Sequence, residues 1–305
     1  MLRKYICLGL FTLTASTHAS AEEDVAGANV LGMGGVAAAH SSDNAAITVN
    51  PGMMALTRRY DFHGHFKYGP SKGTHWAGSA VDGQTSKVLW VGVAYAGDAY
   101  NPELRPGELP GWTVPGEEIL NTKRFHDLTL AVSVPLVPER VALGLNGGVS
   151  FYNHERQGQG STGNGDVGLG ILATNWLSIG IAGENLLPLS GDRTLGAIAG
   201  VRLFDAEIGA FEIDGGYHHL DSEGLNIGVG GEKNAGLARL RVGYDVDLGL
   251  SEQHVSWGLG LVGEGGSFGY AMMLPVGPGE PTAAGLVNQF SITLAAPDVS
   301  GGPRR

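Results

Sequence analysis

From Tyr60 onward, hydrophobic and polar residues alternate with a period of two. Tyr60, Phe62, Phe66 and Tyr68 share one face, and Asp61, His63, His65 and Lys67 share the other. That is the period of a strand and not of a helix. The pattern returns in Leu128, Leu130, Val132 and Val134 against Asp127, Thr129, Ala131 and Ser133. It returns again in Val141, Leu143, Leu145, Val149 and Phe151, in Val255, Trp257, Leu259 and Leu261, and in Phe268, Tyr270, Met272 and Leu274. Fourteen such segments are predicted, near 59–68, 74–82, 87–97, 123–136, 139–153, 165–173, 175–185, 193–204, 207–219, 223–232, 236–246, 253–263, 266–275 and 285–295, separated by Gly, Asn, Asp and Pro.

A soluble β-sandwich alternates too, so the second face decides what the first one meets. On a solvated sheet it would carry Lys, Glu and Thr, whereas here it is small and nearly uncharged, as in Ala142, Gly144, Asn146, Gly148 and Ser150. Such residues suit a narrow lumen that is filled by something, or a strongly curved barrel wall, and the apolar face is left for lipid. The fold class expected is all-β: a transmembrane antiparallel barrel of about 14 strands over 59–295 with an N-terminal lumen hatch. Connections agree in parity. If the first strand rises from the periplasm, 83–86, 138, 174, 205–206, 233–235 and 264–265 fall on the periplasmic side and are all short. Every long connection, including 98–122, falls outside, as in outer-membrane barrels.

Composition sharpens this. Charged residues are 16% of the chain, against about 25% in ordinary soluble domains, and glycine supplies 51 of 305 residues. No run past the amino terminus reaches the ~18 apolar residues of a spanning helix, and the best candidate, Leu128 to Val137, is broken by Thr129, Ser133 and Pro135. The net charge of -11 gives no footprint for nucleic acid and no polybasic face for anionic lipid. At the start, Arg3 and Lys4 precede an apolar stretch from Tyr5 to Leu13 and the small residues Ala19-Ser20-Ala21. This order predicts a signal peptide over 1–21, cleaved after Ala21, and export to the bacterial outer membrane. The single cysteine, Cys7, would leave with it, so neither a disulfide nor a thiolate site is expected.

The segment 22–58 does not alternate, yet Val30, Leu31, Val36, Ile47 and Leu56 are too apolar for a linker. It is expected to be buried in the barrel or across its periplasmic mouth as a hatch; the alternative is a loose periplasmic arm. Within it stand Gly32-Met33-Gly34-Gly35, Asp43-Asn44-Ala45-Ala46 and Asn50-Pro51. These residues resemble the amino-terminal pattern of FadL-like outer-membrane proteins, which include long-chain fatty-acid transporters and compact PorV-type barrels. The resemblance continues through Trp176 to Leu186, Val229 to Glu232, Leu240 to Tyr244, Ser267 to Ala271 and Gln289 to Leu294. It implies fourteen strands with the amino-terminal segment plugging the lumen, and marks Gly32, Gly34, Gly35, Asp43, Asn50 and Pro51 as the hatch motif. Gly52-Met53 departs from the family's usual Ala-Gly, and 296–305 extends past the last strand as a tail without a terminal aromatic.

No catalytic set is predicted. His63 and His65 could bind a metal from one strand face, but no third ligand is indicated, and His218 and His219 point to opposite faces. No G-x-S-x-G elbow or phosphate loop occurs, and no cofactor is implied. Inward charges say more. Arg239 and Arg241 share a lumen face with His63 and His65 as candidate polar lining, and with Glu232, Asp214 and Asp166 they are expected to form an ion-pair ladder holding the hatch or a site for an anionic substrate. In the long outer loop, Leu104, Leu109, Trp112, Ile119 and Leu120 offer apolar contacts. Two functions follow: a channel for hydrophobic small molecules, or a non-transporting PorV-like component of a secretion, motility or envelope assembly. The expected partners are outer-membrane lipid and either a hydrophobic ligand or envelope-complex proteins.

Overall fold

The computed structural model describes residues 26–40, 43–69, 73–100, 102–103, 121–154, 158–186, 195–219, 224–248, 252–276 and 286–296. The expected signal peptide at 1–21, the tail beyond Ala296 and the loop residues Leu104, Leu109, Trp112, Ile119 and Leu120 lie outside the described residues.

Fourteen strands form the wall: β1 (Tyr60–Gly69), β2 (Gly73–Asp82), β3 (Trp90–Tyr100), β4 (Asn121–Val137), β5 (Val141–His154), β6 (Gly158–Thr174) and β7 (Leu177–Glu184). The second half comprises β8 (Leu195–Asp205), β9 (Gly209–His219), β10 (Gly224–Ala235), β11 (Ala238–Asp247), β12 (Glu252–Gly263), β13 (Gly266–Pro275) and β14 (Val287–Ala295). Each pairs antiparallel with its sequence neighbours, and β1 pairs with β14, so the sheet closes on itself. A two-residue strand, Pro102–Glu103, pairs with Thr122 and Asn121 at the start of β4. Closure leaves no edge unpaired, which is the condition for strands to stand in lipid.

Side chains sort by phase. Phe62, Phe66, Leu128, Leu130, Leu143, Leu145, Leu259, Phe268 and Ile292 are exposed on the outer surface, while their neighbours Asp61, His63, Thr129, Ala142 and Ser291 are buried inside. One boundary differs from expectation. β6 begins at Gly158, although Gly158 to Asn164 lacks alternation, because it pairs in register with the outer end of β5 from His154 to Gly148. Beyond the lipid band a ladder needs only a partner strand, and its side chains can be polar on both faces.

The core of the molecule is the amino-terminal segment. Met33, Ile47, Met53 and Met54 are completely buried in the lumen, and Val30, Val36 and Leu56 nearly so. The segment contains the short helix α1 (Ala28–Leu31) and two 3₁₀ turns, Asn44–Ile47 and Pro51–Leu56. It winds around the inner wall: α1 lies on β12, β13 and β14, and the second 3₁₀ turn lies on β4, β5 and β6.

Candidate functional site

The hatch motif residues each make a turn possible or hold one. Gly34 and Gly35 both take left-handed backbone angles, with φ of 80° and 78°. A Cβ on Gly34 would stand 2.9 Å from the Tyr244 backbone nitrogen. Gly32 brings its Cα against the Gly258 backbone. Asp43 caps the first 3₁₀ turn, accepting from the Ala45 N–H at 2.7 Å, and its other oxygen takes a short hydrogen bond from Asn29, which ties the two halves of the hatch together. Asn50 caps the second turn through the Gly52 N–H at 3.1 Å and donates to Ala38 O at 2.9 Å and Leu169 O at 3.3 Å; Pro51 starts that turn.

The wall answers with glycine. A Cβ at Gly144 would collide with the backbone of Pro51 and Gly52, one at Gly180 with the Ala38 carbonyl, and one at Gly243 with Met33 and Gly34. At Gly170 it would lie 2.7 Å from Gly52 O. The small-residue inner face is therefore a socket cut to the hatch backbone.

Hydrogen bonds from inward side chains complete the seat. Asp214 Oδ2 accepts the N–H groups of Ala37 and Ala38 at 2.6 and 2.7 Å, and Glu212 Oε1 accepts that of Ala39 at 3.1 Å. Ser178 Oγ donates to Ala39 O at 2.8 Å. Arg202 Nη1 is 3.0 Å from Glu212 Oε2 and makes a short hydrogen bond to His40 Nδ1. On the opposite wall, Asn146 donates to Ile47 O at 3.0 Å and Thr48 O at 3.2 Å, and Arg59 donates to Asp43 O at 2.6 Å. Burial and then the Arg202 charge push His40 well below its ordinary 6.5, so it stays neutral and accepts. Burial pushes Asp43 up, but the His63 charge, the Ala45 N–H and Asn29 outweigh it and hold its carboxyl at about 2.

The ladder expected of Arg239, Arg241, Glu232, Asp214 and Asp166 is only partly there. Arg241 pairs with Glu232 at 2.7 Å, as their register dictates. Arg239 turns to the carbonyls of Gly236 and Ala238 at the strand end, and Asp214 binds hatch amides directly. Asp166 stands across the barrel on β6, accepting from the Asn185 N–H at 2.7 Å. The reason is lateral: shared phase puts side chains in the lumen, but only adjacent strands can pair them. His63 and His65 are buried on the inner face, their rings 5.8 Å apart, and His63 Nδ1 shares a 2.9 Å hydrogen bond with Thr293 Oγ1. Among the described residues no three His, Cys, Asp or Glu side chains are grouped to hold a metal ion. Arg202, Glu212 and His40 were not singled out from sequence, although the inward phase and hairpin register of Arg202 and Glu212 would have paired them.

Between the hatch and strands β1, β13 and β14 lies a cavity of about 100 Å³, lined by Asn29, Asp43, Asp61, His63, Ser291 and Thr293 among others. Its lining is polar, and at ~30 Å³ per molecule its volume suits a few waters. Beside it, Asn44 Oδ1, Asp61 Oδ1 and His63 Nε2 are buried without hydrogen-bond partners among the described residues. This is the least satisfied part of the seam between hatch and wall.

No protein-family model matches the sequence, and no curated protein is similar to it in sequence. Solved structures do resemble the fold. A CymD monoaromatic hydrocarbon channel superposes with a TM-score of 0.67 at 11% identity, covering 88% of this chain and 97% of that one. The toluene transporter TbuX of Ralstonia pickettii gives 0.60 at 12% identity, covering 90% and 98%. The toluene transporter TodX of Pseudomonas putida gives 0.61 at 10%, covering 89% and 97%. The chain thus shares the fold of these three proteins and is a closed barrel of fourteen antiparallel strands.

Proposed function

We propose that this chain is an outer-membrane channel for hydrophobic small molecules, closed by its own amino-terminal segment. The observation that carries the reading is the way the segment is held. Side-chain hydrogen bonds from Asp214, Glu212, Ser178, Asn50 and Asn146 fix its backbone, and none of these bonds belongs to the strand ladders. The segment can therefore shift while the barrel keeps its full pairing, which is what a gate requires. Transport is also what the names of the structural neighbours describe, in each case for a monoaromatic hydrocarbon. The PorV-like alternative draws on no observation of its own.

Deleting Val25 to Leu56 should leave a barrel that inserts and conducts ions in planar bilayers, while the intact protein stays nearly closed. Vesicles holding the intact protein should take up toluene faster than protein-free vesicles. Equal uptake, with the deletion still conducting, would remove the hydrophobic substrate and leave a plugged barrel of another purpose.

A further inference from the structure

The outward face of β2 to β5 changes character at one height. On β4 the outward residues Leu136, Val134, Val132, Leu130 and Leu128 are exposed and apolar, and the next two outward positions are His126 and Arg124. From Val137 to His126, eleven steps of ~3.3 Å tilted by ~40° climb about 28 Å, close to the ~25 Å of a lipid-facing band. His126 and Arg124 therefore stand at the band's outer limit. The neighbouring strand agrees: Phe151 lies opposite His126, and Asn153 lies opposite Arg124.

An aromatic shelf supports this pair from below. Trp76 and Tyr95 have ring centroids 5.0 Å apart, and Tyr95 stacks on His126 at 6.1 Å with 23° between planes. Tyr95 Oη and His126 Nδ1 share a 2.8 Å hydrogen bond, so with the phenol donating, His126 Nε2 carries its proton away from the wall. Arg124 is exposed and makes no hydrogen bond or ion pair among the described residues. In outward phase on the described strands, the other lysine or arginine is Lys233, beside the periplasmic turn at the opposite end. Among the described residues Arg124 is the one outward-facing cation at this rim, and none of them pairs with it.

We propose that this rim is a docking site for the phosphorylated sugar headgroup of a lipopolysaccharide in the outer leaflet, given the outer-membrane location set out above. The Arg124 fork matches a phosphate, with His126 as a second donor. Trp76 and Tyr95 sit where the acyl chains meet the headgroup, the level at which amphipathic rings settle. Asn153 is placed for a sugar hydroxyl. The charge is complementary: the lipid's phosphates meet the exposed guanidinium of Arg124.

The test uses the full-length protein in mild detergent and native mass spectrometry, with diphosphorylated lipid A, monophosphorylated lipid A and phosphatidylglycerol as probes. Diphosphorylated lipid A should be retained best. Arg124→Gln should cut that retention about tenfold, the scale of one charge-assisted hydrogen bond, while Arg140→Gln at the periplasmic turn leaves it unchanged. Heat-dependent gel migration of each variant verifies that the barrel is folded. Retention of all three lipids alike would overturn the proposal in favour of unspecific attraction for anionic lipid. Wild-type retention by Arg124→Gln would overturn it in favour of a purely aromatic anchor.

Discussion

Three consecutive hatch amides, those of Ala37, Ala38 and Ala39, are held by only two carboxylates, Asp214 and Glu212, with His40 and Arg202 alongside. Through two of the hatch's own groups, His40 and Asp43, acid should loosen the seat. The pKa of His40 is lowered when seated, so as pH falls through its ordinary 6.5 the released hatch takes up a proton that the seated one refuses. Asp43 is likewise lowered, so its contribution holds above its ordinary 3.8 and is lost as pH falls toward about 2. Amide exchange at Ala37 to Ala39, corrected for intrinsic rate, should accelerate between pH 7 and pH 5, and His40→Gln should flatten that rise. An unchanged profile in His40→Gln would assign the effect to other groups. The period of two puts Asp214, Glu212 and Arg202 on an inner face, but it cannot set His40 beside Arg202, because the two are brought together by the path of a segment that has no period to read.

At the scale of elements, alternation made the strands legible to within a few residues at almost every end. It failed at Gly158 to Asn164, where both faces are polar and the pairing is imposed by β5. The small inner face was legible as a filled lumen, while which glycine meets which hatch atom was not. Two glycines of β5 allow the socket to be tested. Gly144 faces the hatch backbone, whereas a Cβ on Gly147 would meet only Asn164 O at an ordinary 3.8 Å. Gly144→Val should destabilise by about 1–3 kcal/mol through overpacking, or raise ion conductance by displacing the hatch. Gly147→Val, on the lipid side, should stay within about 0.5 kcal/mol, read from urea midpoints of folding into lipid vesicles.

For the whole molecule, the inside-out arrangement makes the outer surface the costly place for charge. Leu259 is 47% exposed on β12 in a ring of apolar neighbours, and Leu259→Arg should cost about 2–4 kcal/mol if the residue lies near the bilayer midplane. A cost near zero in the same vesicle assay would mean that this face does not meet lipid. The join between hatch and wall carries a further consequence, for the order of assembly. The hatch runs directly into β1, and β1 is also one side of the closing pair with β14, the last of the described strands. A contact between the first and last strands carries the largest loop-closure entropy and is expected late. Yet α1 packs on β12, β13 and β14, where a Cβ at Gly269 would stand 3.3 Å from Ala28 Cβ. The barrel is then expected to be cast around its plug: the hatch waits in the unfinished cylinder until the final strand arrives, and a barrel that closes without it encloses a space shaped for a segment left outside.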